Sequence, residues 1–293
     1  MARSCSLGET LKALICALAS LICYATAVAA ADVDRFILLK LGGNTVHWQS
    51  ESAGHAPLIT YRILKSPRAF DRARNCRRLG ALDDLAASSQ LPEDIIRREV
   101  AAAFDMWQHA ANITFREARN SETANILIGA QLEPEGWAFT NVAYDAHSPE
   151  DIKPITQSLI CLNPLKRWKV GFDGNLKIYD IRYTLAHEIG HAIGLDHSGD
   201  DQVMGYLYHE QFRDLQQGDI AGAIHLYGPR EPEPMIAEID QTRFTRQSSS
   251  GRPTSKHWGT RAFIGRTHTH PNTPGAKRAP SLRSTHMFRR RPF

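Results

Sequence analysis

Residues 187–197 read His187-Glu-Ile-Gly-His-Ala-Ile-Gly-Leu-Asp-His197, a stretch that contains three histidines at fixed spacing. From Ile181 onward, isoleucine or leucine recurs at every fourth residue, which predicts a helix with one aliphatic ridge. His187 is two positions from the ridge residue Leu185, which is about 200° around such a helix, and His191 follows four residues later. We therefore expect both imidazoles on one face, roughly opposite the ridge, where they can face a cleft.

The residues that follow this predicted helix complete a metal site. Gly194 is expected to end the helix, because glycine adopts a positive φ without steric cost, and the turn can bring His197 back toward the other two histidines. Three imidazoles leave one position of a tetrahedral zinc ion open, which distinguishes a catalytic site from a structural one. Glu188 adjoins the first ligand and is expected to be the general base that takes a proton from water.

The same residues resemble the long zinc-binding consensus of the metzincin metalloproteases. The serine after the third histidine, Ser198, resembles the pattern of the matrixin branch. The chain is therefore similar to a minimal, bacterial-type member of that branch. Met204 fits the Met-turn of that family, Asp219 fits the acid that supports this turn, and residues 215–228 resemble the last helix. The resemblance covers about residues 44–228. It implies an α+β catalytic domain with a twisted mixed β-sheet, two long helices and a C-terminal helix.

The resemblance also implies an activity and a cofactor. A matrixin-like domain is expected to be a zinc-dependent endopeptidase with one catalytic zinc on His187, His191 and His197, and with Glu188 as general base. Its substrates would be proteins or peptides, bound in extended form in a shallow cleft beside an edge strand. Residues 136–140 are the candidate for that edge.

Several positions depart from the family pattern. Residues 129–180, where vertebrate members carry a second zinc and calcium, contain the single histidine His147, so neither a second zinc nor calcium is expected. Tyr206 stands where matrixins usually have proline, and it either stabilises a developing oxyanion or serves only as packing. Tyr208 matches the wall tyrosine of the matrixin specificity pocket. Gly218 replaces an acid that pairs with the freed N-terminus in the family.

The N-terminal residues predict export. Residues 1–31 combine basic residues, an apolar run and a small-residue cleavage site, which is typical of a signal peptide, although an uncleaved anchor is an alternative. A short segment, residues 32–43, would follow it. The mature chain would then be secreted, to the periplasm or the medium, with Cys76 and Cys161 as its two cysteines. An oxidising compartment favours one disulfide between them, and the alternative is two free thiols, one of which regulates the zinc.

The remainder of the catalytic region reads as mixed helix and strand. A helix is expected to open at Pro92, followed by acids in its first turn and an apolar stripe. Alternating or continuous apolar runs predict four strands, at residues 58–64, 113–115, 124–128 and 158–162.

The C-terminal region, residues 229–293, has a different composition. From Arg230 onward it holds thirteen Lys or Arg and four Asp or Glu, which gives this region a net charge of +9. Because the whole chain has a net charge of +4, the remaining residues carry −5. With few aliphatic residues it is expected to be a disordered tail, or else an electrostatic tether to an anionic surface, with no specific nucleic-acid site. A monomer is expected. The alternative function is a non-catalytic zinc-bearing binding protein that this tail holds on such surfaces.

Overall fold

The computed structural model of this chain describes residues 36–52, 54–119 and 122–230, together with the backbone of Leu282–Ser284. The predicted signal peptide and most of the basic tail lie outside these residues. Within the described ranges, no helix has the length and apolarity that a membrane crossing requires.

The described residues form four helices and fourteen strands, several of them only two residues long. The helices are α1 (Asp83–Ser89), α2 (Glu93–Ala110), α3 (Ile181–Ala192) and α4 (Gln217–Tyr227). The strands are β1 (Ile37–Leu38), β2 (Lys40–Leu41), β3 (Asn44–His47), β4 (Leu58–Ile63), β5 (Arg68–Ala69), β6 (Arg78–Gly80), β7 (Thr114–Glu117), β8 (Ile126–Gln131), β9 (Ala138–Tyr144), β10 (Lys153–Leu162), β11 (Trp168–Lys169), β12 (Tyr179–Asp180), β13 (Leu195–Asp196) and β14 (Leu282–Ser284).

The main sheet is mixed, with the strand order β14-β9-β10-β8-β4-β7. β7, β4, β8 and β10 are mutually parallel neighbours, whereas β9 runs antiparallel to β10. Shorter strands extend this sheet, since β3 pairs with the start of β10 and β6 pairs with β8. The predicted α+β class with a mixed sheet, two long helices and a C-terminal helix is confirmed; the short helix α1 is an addition that the sequence analysis does not predict.

Two layers of apolar side chains cover the two faces of this sheet. Successive residues of a strand point to opposite faces, so Ile126 and Ile128 of β8 pack toward the helices while Leu127 packs on the other side. The helix-side layer contains the stripe of α2, whose residues Val100 and Trp107 are fully buried. This layer fixes the position of α3, which carries the histidines.

The second layer is built around a disulfide. Cys76 and Cys161 are joined, with Cα atoms 5.7 Å apart, and both residues are completely buried. Asn141 of β9 holds the loop before Cys76, because its Oδ1 accepts the backbone N–H groups of residues 74–76 at 3.1 Å each. The disulfide therefore ties this loop to β10, and neither cysteine is available as a free thiol to regulate a metal.

The described part of the N-terminal segment belongs to the fold, ahead of the predicted domain start at residue 44. Leu39 and Leu41 are both buried in the helix-side core. β1 pairs antiparallel with β13, with Ile37 opposite Asp196, which immediately precedes His197. Strand β1 has only two residues, too few for a residue pattern to predict a strand, and its partner β13 is more than 150 residues away. The sequence therefore does not reveal this pairing.

Candidate active site

Helix α3 positions the first two histidines. Asp180 caps it, since its Oδ1 accepts the Tyr183 N–H at 2.7 Å. Arg213 donates to the same carboxylate, at 2.9 Å from Oδ2, and holds this end of the helix. His187 and His191 lie one turn apart near the other end, as the four-residue spacing predicts.

The surroundings of α3 differ from the expected two-sided arrangement. Every residue from Tyr183 to Ala192 is buried, and the two helical histidines have no exposed surface. Trp107 lies against the helix and donates from Nε1 to the Ala186 carbonyl at 2.8 Å. Both helical imidazoles are therefore enclosed by protein rather than standing on an exposed face of the helix. The Val203 carbonyl and the Met204 side chain contact this part of the helix.

The turn after α3 brings the third histidine to the same point. The helix ends at Ala192, and Gly194 adopts a φ of +107°, which L side chains rarely take. A Cβ at this position would also overlap the Val46 carbonyl oxygen of β3, so two independent constraints require glycine. Strand β13 then leads directly into His197, whose side chain is 13% exposed.

The three histidines present their Nε2 atoms to one another. His187 Nε2 lies 3.1 Å from His191 Nε2 and 3.2 Å from His197 Nε2. Nδ1 of His187 lies 2.7 Å from the Val203 carbonyl, and Nδ1 of His191 lies 2.8 Å from the Leu195 carbonyl. Because a carbonyl can only accept, each Nδ1 carries the hydrogen and each Nε2 keeps its lone pair.

This donor set fits a tetrahedral zinc ion. Bonds of about 2.0–2.1 Å would separate two ligand nitrogens by roughly 3.3 Å, close to the observed distances. Burial and the two neighbouring imidazoles lower the pKa of His187 well below its ordinary value, so it is a neutral ligand at pH 7. Among the described residues, these three form the group of His, Cys, Asp or Glu side chains arranged to hold an ion.

A turn around Met204 supports the site from the other side. Met204 is almost fully buried, and its side chain packs on Gly190, between the two helical histidines. Asp219 of α4 accepts the N–H groups of Val203 at 2.8 Å and of Met204 at 3.0 Å. The Val203 carbonyl in turn accepts from His187, so Asp219 acts on the metal site through this turn.

Glu188 lies on the opposite side of α3 from this turn, against strand β9. Its Oε2 accepts the Thr140 hydroxyl at 2.7 Å, while Oε1 is buried and has no hydrogen-bond partner among the described residues. Burial raises the pKa of Glu188 to about 8, and the Thr140 hydrogen bond opposes the shift. A cation on the adjacent histidines would also favour the carboxylate.

The two tyrosines that the sequence analysis predicts at the site, Tyr206 and Tyr208, lie in different environments. The ring of Tyr206 is edge-on to His197, with centroids 5.0 Å apart, and is partly exposed. Tyr208 is nearly buried, and its ring stacks on Tyr179 at a centroid distance of 4.0 Å. The Tyr208 hydroxyl accepts from the Asp180 N–H at 2.9 Å, so this oxygen already serves the start of α3.

Two residues of the site have no signal in the sequence. Thr140 is one of many β-branched residues in strands, and only the packing of β9 against α3 brings it to Glu188. Gln202 precedes the Met-turn, and its Oε1 accepts the N–H groups of Gly218 at 2.9 Å and Asp219 at 3.2 Å. It caps the start of α4 and joins it to the turn. A glutamine two positions before the methionine is not distinctive by itself.

Comparison with known proteins agrees with this geometry. The Matrixin family model matches residues 84–228. Mouse matrix metalloproteinase-19 is 26% identical over 230 residues, which cover 71% of this chain and 34% of that protein. Human matrilysin is 28% identical over 220 residues, covering 68% of this chain and 64% of that protein. A probable matrix metalloproteinase of Invertebrate iridescent virus 3 is 29% identical over 148 residues, 46% of this chain and 38% of that protein.

The matches cover only part of these relatives. The chain spans about a third of the length of the mouse and viral relatives. The matched region nevertheless includes α2, α3, the three histidines, the Met-turn and α4. Residues 84–228 of this chain therefore form a matrixin-like metzincin domain.

Proposed function

We propose that this chain is a secreted zinc-dependent endopeptidase that hydrolyses peptide bonds of protein substrates. The observation that carries this proposal is Glu188, a buried carboxylate with one oxygen that has no hydrogen-bond partner among the described residues, which directly follows the first of three histidines whose Nε2 atoms converge. A closed structural zinc site would use four protein ligands and would need no such carboxylate. The metalloproteinase names of the relatives support the same class of reaction.

In this proposal His187, His191 and His197 hold one zinc ion. When bound, zinc supplies Lewis-acid activation of a water molecule, whose pKa falls to roughly 7, and polarisation of a carbonyl. Glu188 takes the proton of the attacking water on Oε1 and delivers it to the leaving amine. Thr140 holds Oε2, so the proton-accepting oxygen keeps one orientation. Such a hydrogen bond restricts the rotation of the Glu188 carboxylate before the reaction, so less entropy is lost on reaching the transition state.

The roles of the remaining site residues belong to the proposal as well. Gly194, Met204 and Asp219 support the site, the first through its positive φ and the other two through the Met-turn. Tyr206 contacts the ring of His197 and is placed next to the metal ligands, where a phenol could donate to a developing oxyanion. Tyr208 would form part of a pocket wall through its ring, since its hydroxyl is engaged elsewhere.

Secretion rests on the sequence of residues 1–31 and on the disulfide, because disulfides persist in oxidising compartments. The alternative, a zinc-bearing binding protein without catalysis, would have no use for a buried carboxylate with a free oxygen, and the relatives named above are proteinases. An anionic partner for the tail and a monomeric state remain predictions of the sequence.

The deciding experiment is hydrolysis of casein and gelatin by the purified mature chain, with and without a zinc chelator. Glu188→Gln keeps the size of the side chain and removes the base, so we expect zinc to stay bound while the rate falls by roughly 10²- to 10⁴-fold. His191→Ala should lose both zinc and activity. His147→Ala is the matched control, because this histidine is exposed and far from the ligand group in the chain.

Zinc content measured by elemental analysis separates the possible outcomes. One zinc per chain with chelator-sensitive cleavage supports the proposal. Cleavage that survives both the chelator and Glu188→Gln would refute it. One bound zinc with no cleavage of either substrate would instead favour the binding-protein alternative.

A further inference from the structure

Strand β9 has partners along both of its edges. On one side it pairs antiparallel with β10 over most of its length. On the other side it pairs antiparallel with β14, so that Leu282 lies opposite Ala143, Arg283 opposite Val142 and Ser284 opposite Asn141. The sequence predicts a tail without regular structure here, whereas the structure describes a strand of the main sheet.

β9 is also the strand that contacts the proposed general base. Thr140 hydrogen-bonds the Glu188 carboxylate at 2.7 Å and the Glu188 backbone carbonyl at 2.9 Å. Asn141, the next residue, is the first residue of β9 that β14 covers. The part of β9 that pairs with the tail strand therefore begins at the residue next to Thr140, which contacts Glu188.

An extended peptide and this tail segment would use the same groups. A strand at the edge of a sheet presents backbone N–H and C=O groups that can pair with another extended chain. A protein substrate with its scissile bond near Glu188 would lie along β9, because β9 is the sheet strand in contact with that residue. One edge can pair with only one strand at a time, so β14 and the substrate exclude each other where they overlap.

We propose that Leu282–Ser284 is an intramolecular competitor that occupies the outer edge of β9 and reduces the binding of protein substrates. The inference rests on the proposed function, since it concerns regulation of the same site. A segment on the same chain binds intramolecularly, so a short strand contact competes with substrate without high affinity of its own. The pairing is a backbone ladder, and it is therefore expected to depend on N–H groups rather than on particular side chains.

The test uses the full mature chain in three forms: the native sequence, a triple proline variant and a triple alanine variant of residues 282–284. Leu282→Pro, Arg283→Pro and Ser284→Pro together remove every N–H that the tail strand could donate to β9. Leu282→Ala, Arg283→Ala and Ser284→Ala retain all of them. The alanine form is thus a matched control that separates backbone pairing from side-chain contacts.

The first measurement is the rate of fluorescein-casein hydrolysis over a range of substrate concentrations. A competitor at the substrate edge raises KM and leaves kcat unchanged. Two or so backbone hydrogen bonds correspond to a change of roughly fivefold or more, so the proline form should have a KM lower by about that factor. The alanine form should match the native chain. Equal KM values for the native and proline forms would overturn the proposal.

The second measurement is hydrogen–deuterium exchange of the peptide that contains β9, which does not depend on activity. The proline form should lose protection in this peptide, and the alanine form should keep it. Equal protection in all three forms would overturn the pairing itself. If no form cleaves any substrate, the proposed function fails and the competition with it, while the exchange experiment still reports whether the tail covers β9.

Discussion

Gly190 lies within α3, between the two helical histidines, and directly contacts the Met-turn. A methyl group at this position would overlap Met204 Sδ and would lie 3.1 Å from Met204 Cε and 2.9 Å from Trp107 Cζ2. Both neighbours are enclosed by protein, because Met204 is 1% exposed and Trp107 is fully buried, with its Nε1 hydrogen-bonded to the helix. We therefore expect Gly190→Ala to displace the Met-turn.

Two opposing effects determine the size of the change. Replacing glycine by alanine inside a helix stabilises that helix by about 0.8–1.0 kcal/mol. Adding a methyl group to a well-packed interior costs typically about 1–3 kcal/mol, and the close contacts here indicate the upper end. The net result is a loss of about 2 kcal/mol in the free energy of unfolding, opposite in sign to the effect in an isolated helix.

The assay is urea unfolding followed by circular dichroism, in a double-mutant cycle with Met204→Ala. Shortening Met204 removes two of the three close contacts, so Gly190→Ala should cost at least about 1 kcal/mol less in that background than alone. A stabilising effect of Gly190→Ala in the native background would refute the reasoning. So would an equal cost in both backgrounds, because Met204 would then not be the obstacle.

Three further predictions concern the base, the disulfide and the acid range. Thr140→Val should lower kcat by roughly 10- to 100-fold, as expected for a lost hydrogen bond to a charged group, with zinc content unchanged, whereas Thr140→Ser should stay near the native value. Replacing Cys76 and Cys161 together by alanine should lower the free energy of unfolding by up to about 4–5 kcal/mol, since the bridge spans 85 residues; a loss under about 1 kcal/mol in urea titrations would contradict this. Hydrogen bonds from Arg116 lower the pKa of Glu122 from 4.5 to about 2, so this pair adds stability above pH 4.5 that is lost as the pH falls toward 2. Glu122→Gln should flatten the stability curve in that window, and unchanged urea midpoints relative to the native chain at each pH would argue against the pair.

The histidine site shows which features can be read from short-range spacing. His187 and His191 share a helix face because the helical period is local, and a glycine is predictable where the chain must reverse after about three turns. The burial of α3 on all sides is not local. It depends on Trp107, which is 79 positions from Ala186, and on the turn at Met204, which lies beyond the end of the helix in the chain. The two helical histidines are therefore buried rather than exposed on one face, and their spacing is as predicted.

Sequence alone determined the three histidines and the adjacent glutamate, the positive-φ position at Gly194, the two cysteines and the α+β class, since each depends on residue chemistry or on a repeat of a few residues. Tertiary structure alone decided the contact of Thr140 with Glu188 and the pairings of β1 with β13 and of β14 with β9. These contacts join residues that are from 48 to more than 150 positions apart. Two-residue and three-residue strands carry no periodicity of their own, and their partners are selected by the packing of the whole domain.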